Sequence, residues 1–353
     1  MKTCFIPKFT SINPYQGQLA EGLENLGVKS DGIENKKSYL PREIHQREPK
    51  VLHIHWLHEF YSAGSVIHTI KPLIKFILGL IVVKLKGVKI VWTAHNIRHH
   101  ELEYPLIDRI CTLSVAAFSN AIIVHSEAAK KELMKDLPFD VSKKAHVIAH
   151  ANYIGQYKNT LSLAESRRQL RIPESKIVFL FFGLIRPYKG VIELIQAFEE
   201  LNHPDAHLVI AGKSKDPELT KAIQAKADSN SAIQFIPGFI EDDDVQMYMN
   251  AADVVTFPYK NILTSGAVML AISFGRACLA PQKDCITEVL DHQGAFLYDP
   301  NLKNGLLTAM QEAIRKKDLT SGMGEYNYQK AKSWGWDHVA KKTLAVYETC
   351  LKE

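Results

Sequence analysis

The sequence predicts an α/β protein built from two Rossmann-like, doubly wound domains. Three observations carry this reading. Short apolar, β-branched runs alternate with helical stretches, the pattern of a parallel sheet buried on both faces. The same alternation restarts after a polar break near 155–172. Finally, 353 residues exceed the size at which a single hydrophobic core keeps growing, so two domains are the natural division.

In the first half the runs are TCFIP at 3, VLHIHW at 51, KIVWT at 89, AIIVHS at 121 and HVIAH at 146. In the second half they are KIVFLFFG at 176, HLVIAG at 207, IQFIPG at 233, DVVTFP at 253 and ACLAP at 277. Stretches with apolar residues at helical spacing, such as VIELIQAFEEL and DDVQMYMNAA, separate the strands. The break GQYKNTLSLAESRRQLRIPES is polar and runs through Pro173, which suits a linker into a new first strand.

Composition narrows the class. The chain is 46% hydrophobic and 23% charged, with no low-complexity segment. Its net charge of +5 divides into +7 over residues 1–160 (21 Lys and Arg against 14 Asp and Glu) and −2 beyond (22 against 24). A basic first half suits an anionic lipid surface or a phosphorylated acceptor, or is a solvated surface only; nucleic acid is not the expected partner. Cys4, Cys111, Cys278, Cys285 and Cys350 show neither metal-ligand nor CxxC spacing and read as buried thiols in a reducing compartment. The start MKTCFIPKFT lacks the apolar core of a signal peptide, and the apolar run FILGLIVV at 76–83 is shorter than the ~20 residues of a membrane span. A cytoplasmic protein is expected.

In open α/β sheets, ligands bind beyond the carboxyl ends of the strands. After the strand at 176–182 comes Gly183-Leu184-Ile185-Arg186-Pro187-Tyr188-Lys189-Gly190, followed by a helix. Two cations in a glycine-bounded loop at a helix amino terminus suit a diphosphate, because free N–H groups and the positive dipole end face the anion. A second junction, Lys260-Asn261-Ile262-Leu263-Thr264-Ser265-Gly266, also opens a helix. Thr264 or Ser265 is its N-cap, and the amides around Ser265 and Gly266 can hold another face of the same phosphates.

In the first half, KIVWTAHNIRHHELEY sets Thr93, His95 and Asn96 at a strand end, with His99, His100 and Glu101 close behind. Polar residues crowded there suggest contact with substrate. The spacing HxxxHH is not that of a zinc protease, and no Asp-x-Asp falls in a plausible metal loop, since EDDDVQ at 241 reads as a helix cap; no metal and no cofactor are expected. His53 and His55 alternate on one strand face and read as core or rim histidines. TSINPYQGQLAEGL, with Asn13 and Tyr15, is a turn into a helix that suits an acceptor sugar. GxGxxG is absent, which counts against a nicotinamide or flavin enzyme. The stretch IKPLIKFILGLIVVKLKGVK at 70–89 suits either an interfacial helix or a helix packed on the first sheet.

Taken together, HIHW at 53, WTAHNIRHHE at 92, VIAHANY at 147, FFGLIRPYKG at 181, FIPGF at 235, ADVVTFPY at 252 and TSGAVMLAISFGRACLA at 264 resemble bacterial glycosyltransferases of family 4 over essentially the whole chain. The resemblance implies the GT-B fold, two Rossmann-like domains facing across a cleft. The implied division is 1–160 on the acceptor side, 161–335 for the nucleotide sugar, and a helix at 336–353 returning to the first domain. It implies transfer of a sugar from a nucleoside diphosphate sugar to a hydroxyl acceptor, a saccharide or lipid-linked, with peripheral contact at the inner face of the cytoplasmic membrane. Arg186 and Lys189 would grip the donor diphosphate, with His95 beside the donor sugar as the third catalytic group. Gly183 and the loop with Gly238, Phe239 and Ile240 would complete the donor site, and Asn13, Tyr15, Asn96, His100 and Glu101 would face the acceptor. The sequence departs from the family in placing Ile262 and Leu270 where two glutamates usually stand. It also sets Arg186 three residues past Gly183 rather than directly after it, and has Ala151 after His150. Loss of the glutamates leaves a non-catalytic GT-B partner, or a sugar-nucleotide epimerase, as the rival readings.

Overall fold

Parallel strands and helices alternate along the chain in the computed structural model, which describes residues 1–8, 14–34, 40–60, 66–97 and 104–352. The chain divides into two units: unit 1 is Met1–Ala151 with Trp334–Glu353, and unit 2 is Asn152–Ser333.

Unit 1 runs β1 (Lys2–Ile6), α1 (Pro14–Asn25), β2 (Lys29–Gly32), α2 (Leu40–Arg47), β3 (Val51–Ile54), α3 (Val66–Leu85), β4 (Lys89–Thr93), α4 (Pro105–Phe118), β5 (Ala121–Val124), α5 (Glu127–Asp136) and β6 (Ala145–Val147). Unit 2 follows with α6 (Leu163–Leu170), β7 (Ile177–Phe182), α7 (Val191–Leu201), β8 (Ala206–Gly212), α8 (Pro217–Ser229), β9 (Ile233–Pro237), α9 (Val245–Ala251) and β10 (Val254–Thr256). It continues with α10 (Gly266–Ser273), β11 (Ala277–Pro281), α11 (Asp284–Thr287), β12 (Ala295–Tyr298), α12 (Gly305–Arg315) and α13 (Thr320–Ala331), after which α14 (Trp336–Lys352) belongs to unit 1.

Each unit holds a six-stranded sheet with parallel pairing, in the orders β2-β1-β3-β4-β5-β6 and β12-β11-β10-β7-β8-β9. Central strands are apolar throughout because helices cover both faces; β7, Ile-Val-Phe-Leu-Phe-Phe, is buried at every position. The two strands that the apolar pattern does not reveal, β2 and β12, both lie at sheet edges. β2 is Lys-Ser-Asp-Gly; with a single neighbour, a strand is held by its ladder bonds without an apolar run.

The polar break is not a free linker. The units divide at Ala151 and Asn152, and the chain from there is bound to unit 2. Asn152 Nδ2 donates to the Ala331 carbonyl (2.8 Å), and the amides of Thr160 and Leu161 donate to Gln246 Oε1. Ser162 and Glu165 form a capping box that starts α6. Inside α6, buried Arg167 donates to the carbonyls of Ala251, Glu174 and Lys176 and pairs with Asp253 at 2.6 Å. The polarity of this segment reflects caps and a buried ion pair. In unit 1, α14 packs on α1, with Val339, Ala340, Val346, Tyr347 and Cys350 joining the cluster of Leu19, Leu23, Phe5 and Val91. Among the described residues, no helix is long and apolar enough to cross a membrane.

Candidate active site

The strand order of unit 2 reverses between β7 and β10, since β8 and β9 lie to one side and β11 and β12 to the other. Loops leaving neighbouring strands at such a point open a crevice for a ligand. The loop after β7 is the Gly183–Gly190 segment and the loop after β10 leads to Ser265, so the two sequence-predicted junctions become neighbours. The Lys260 amide donates to the Tyr188 carbonyl at 2.9 Å, and Lys260 Nζ pairs with Glu193 of α7. Gly190 has φ +70°, and a Cβ there would overlap the Pro258 carbonyl, so this close approach requires glycine. Gly212, at the end of β8, is pressed against the Gly183 carbonyl in the same way, which seats the loop on the sheet.

Gly183 leaves β7 with φ +105°, and Arg186 is extended just before the single 3₁₀ turn Pro187–Lys189. Lys189 is half-buried, with Nζ 5.8 Å from the centroid of the Tyr259 ring, and no carboxylate pairs with it among the described residues. Burial, and next the charge of Arg186, lower its pKa to about 8. Burial pushes the buried Tyr259 hydroxyl up, while its hydrogen bond with Ser265 acts the other way. Ser265, rather than Thr264, is the N-cap of α10: its Oγ accepts from the Val268 amide at 3.2 Å, and Gly266 is the first helical residue. Gly238 (φ +133°) donates its amide to the Gly212 carbonyl after β9. Phe239 is 51% exposed there and Ile240 half-buried, an aromatic face open to a planar ligand. At the two positions where the glutamates are replaced, Leu270 is buried within α10 and Ile262 accepts at its carbonyl from Cys285 Sγ (3.1 Å).

Unit 1 assembles a second group of side chains. Because β3, β4, β5 and β6 are adjacent and parallel, their carboxyl ends lie side by side, and each is followed within three residues by a histidine: His55, His95, His125 and His150. His55 Nδ1 lies 2.9 Å from His95 Nε2, His95 Nδ1 lies 3.3 Å from His125 Nε2, and His125 Nδ1 lies 3.0 Å from the Ile148 carbonyl oxygen. Trp56 stacks on His95 with ring centroids 4.5 Å apart, and the edge of Tyr15 meets His95, His125, His150 and Trp336. His53 is a satisfied core residue, bonded to Tyr347 Oη (2.6 Å) and Thr93 Oγ1 (2.7 Å). Burial lowers the pKa of His53 and His125 to about 3 and of His150 to about 4, and lowers that of His55 well below the usual value.

Tyr15, expected to face an acceptor, is 2% exposed and lies in the core, where it packs against His95. Asn96 is half-buried next to His95. Asn13, His100 and Glu101 lie outside the described residues. Among the described residues, no three His, Cys, Asp or Glu side chains converge to hold a metal ion.

Known proteins share both the fold and part of the sequence. The structure superposes on sucrose-phosphate synthase from Thermosynechococcus elongatus with a TM-score of 0.76 at 15% identity, covering 99% of this chain and 98% of that one. It superposes on Anabaena HepE in complex with UDP and glucose with a TM-score of 0.76 at 15% identity, covering 99% and 100%. Residues 163–330 match the family described as Glycosyl transferases group 1. A curated relative, the GDP-mannose:glycolipid 4-beta-D-mannosyltransferase of Xanthomonas campestris pv. campestris, is 26% identical over 312 residues, 86% of this chain and 81% of its own. The chain has the GT-B fold, and its second half matches the group 1 glycosyltransferases. The matched region contains both loops of the switch point, from Gly183 to Gly266. The sequence pattern did not point to Tyr259 and Gly212 at these loops; it marked His55 as a core or rim residue, and did not place His55, His125 and His150 beside His95. A signal for the histidines existed: four successive strand segments, HIHW, WTAH, IIVHS and VIAH, each carry one at the last or next-to-last position.

Proposed function

We propose that this protein moves a sugar from a nucleoside diphosphate sugar to a hydroxyl of a lipid-linked saccharide or glycolipid. The observation that carries the donor half is Lys189, a cation beside Arg186 with no carboxylate partner among the described residues, in a loop at the switch point of unit 2. Arg186, Lys189 and the amides near Ser265 and Gly266 stabilise the departing diphosphate, where preorganised charge contributes most to the rate. Gly183 lets the loop approach the phosphates, and Gly238, Phe239 and Ile240 hold the base. His95 meets a sugar hydroxyl, and Asn96 faces the acceptor, with Asn13, His100 and Glu101 the further acceptor-side residues by their sequence; Tyr15 acts by packing against His95. UDP-bound structural neighbours support a nucleoside diphosphate donor, and the glycolipid named for the Xanthomonas relative supports a lipid-linked acceptor.

A lipid-linked acceptor also calls for a membrane-facing surface. Helix α3 buries Leu73, Phe76, Leu80 and Val83 but exposes Ile70, Ile74, Leu78, Ile81 and Leu85 along its opposite side. Helix α4, packed beside it, exposes Leu106 and Ile110. Lys71, Lys75, Lys84 and Lys86 are exposed on and just beyond α3, and residues 66–97 contain no carboxylate. An apolar stripe edged by lysines favours peripheral contact with anionic lipid.

A thermal-shift titration of the wild type and Lys189→Ala against UDP, GDP, ADP and their sugars tests the donor site. Stabilisation of the wild type by one nucleotide is expected. The variant should bind it more weakly by about 1.5–3 kcal/mol, tenfold or more, and lose turnover to match. Equal nucleotide affinity in the two proteins would remove Lys189 from the site.

A further inference from the structure

The histidine row in unit 1 has a direction as well as a position. A carbonyl oxygen only accepts, so the 3.0 Å contact between His125 Nδ1 and the Ile148 oxygen puts the proton on Nδ1. His125 is buried among other imidazoles and is neutral, which leaves its Nε2 as a bare acceptor. The 3.3 Å contact to that nitrogen is then a donation from His95 Nδ1. With its proton on Nδ1 alone, His95 keeps a bare Nε2, and the 2.9 Å contact there is then a donation from His55 Nδ1. The chain ends at His55 Nε2, which is buried and has no partner among the described residues. A bare lone pair is the less costly group to leave unpaired in the interior, so this end agrees with the direction set at the other. The opposite direction would require the Ile148 carbonyl to donate.

We propose that the Ile148 carbonyl, acting through His125, sets the tautomer of His95, so that His95 meets a sugar hydroxyl as a hydrogen-bond acceptor at Nε2. This rests on the proposed role of His95 in sugar transfer. His125 is a positioning residue: it fixes which nitrogen of His95 carries the proton, while Trp56 and Tyr15 fix the ring plane. His55 Nδ1 occupies the acceptor position of His95, and an incoming hydroxyl competes with that donor for the same lone pair. His95 then distinguishes ligands by requiring a donor at this point, and a sugar lacking the hydroxyl leaves Nε2 to His55.

The test is nitrogen-15 NMR of the full chain with labelled histidine at neutral pH, resonances being assigned from single His→Gln variants, together with donor kinetics. His55, His95 and His125 are all expected as the Nδ1–H tautomer, the minor form of imidazole free in water. His125→Phe removes the acceptor and should release His95 from that single tautomer, with kcat/KM for the donor falling about tenfold, as when the group orienting a functional histidine is lost. His125→Gln, which returns a carbonyl oxygen near the position of Nε2, should recover most of both. An Nε2–H or protonated His95 in the wild type overturns the proposal, as does His125→Phe leaving the tautomer or the turnover of the donor unchanged. The tautomers can be read whether or not a donor is turned over, and loss of Lys189 leaves them as they are. Failure of the diphosphate site and failure of this proposal are therefore seen in different measurements.

Discussion

Lys189 shows how a single residue joins sequence to chemistry. It is held next to Arg186 and over Tyr259, and its pKa of about 8 expresses the strain of one cation partly out of water beside another. A bound diphosphate favours the charged form and raises the pKa again. Nucleotide affinity is therefore full below about pH 8, and declines as the pH rises through that value until the pKa of the bound state is reached. Isothermal titration of UDP, or of whichever nucleotide stabilises the protein, should show affinity level below about pH 8 and falling above it by up to about tenfold per pH unit. A flat profile would mean that Lys189 does not meet the phosphates as a cation.

At the scale of elements, the α7 entrance depends on Gly190. An alanine there must adopt a left-handed backbone and displace the Pro258 carbonyl, so Gly190→Ala should cost on the order of 1–3 kcal/mol. It should also weaken nucleotide binding, because the two loops that meet through this contact would separate; urea unfolding and the same titration read both effects. Helix α3 carries the complementary prediction. Ile74 and Leu78 are 52% and 56% exposed, so Ile74→Glu with Leu78→Glu removes apolar surface from solvent without opening a core. Folding stability should change by no more than about 0.5 kcal/mol per substitution. Co-sedimentation with anionic vesicles should fall sharply, and undiminished co-sedimentation would move the lipid contact elsewhere.

For the molecule as a whole, the buried histidines of unit 1 link folding to pH. His53 and His125 have pKa values of about 3 in the folded state and His150 about 4, with His55 also well below the usual value. An unfolded chain takes up these protons near 6.5, so below that pH the unfolded state binds more protons than the folded state. The stabilisation is complete above about pH 6.5 and is lost as the pH falls toward 4. Thermal unfolding followed from neutral pH downward should show Tm falling through this window, with the tryptophans of unit 1 reporting the loss. A Tm that stays level to about pH 4 would show that the histidines are charged or exposed.

Much of this protein is legible in one dimension. The eight central strands announce themselves because a strand covered on both faces is largely apolar, and the glycine-bounded loop does so because a backbone that passes another carbonyl cannot carry a Cβ. An edge strand can escape notice, as β2 shows, since one neighbour and a few ladder bonds suffice to hold it. Tertiary structure decided which distant residues meet. The order β10-β7-β8 sets Ser265 and Tyr259 beside Lys189, and the order β3-β4-β5-β6 turns four separate strand ends into one row of imidazoles. It also decided that a polar segment around Arg167 is part of unit 2 and that Tyr15 is core. Periodicity records what faces water, whereas strand order, which determines whose ends are neighbours, depends on contacts among residues far apart in the chain.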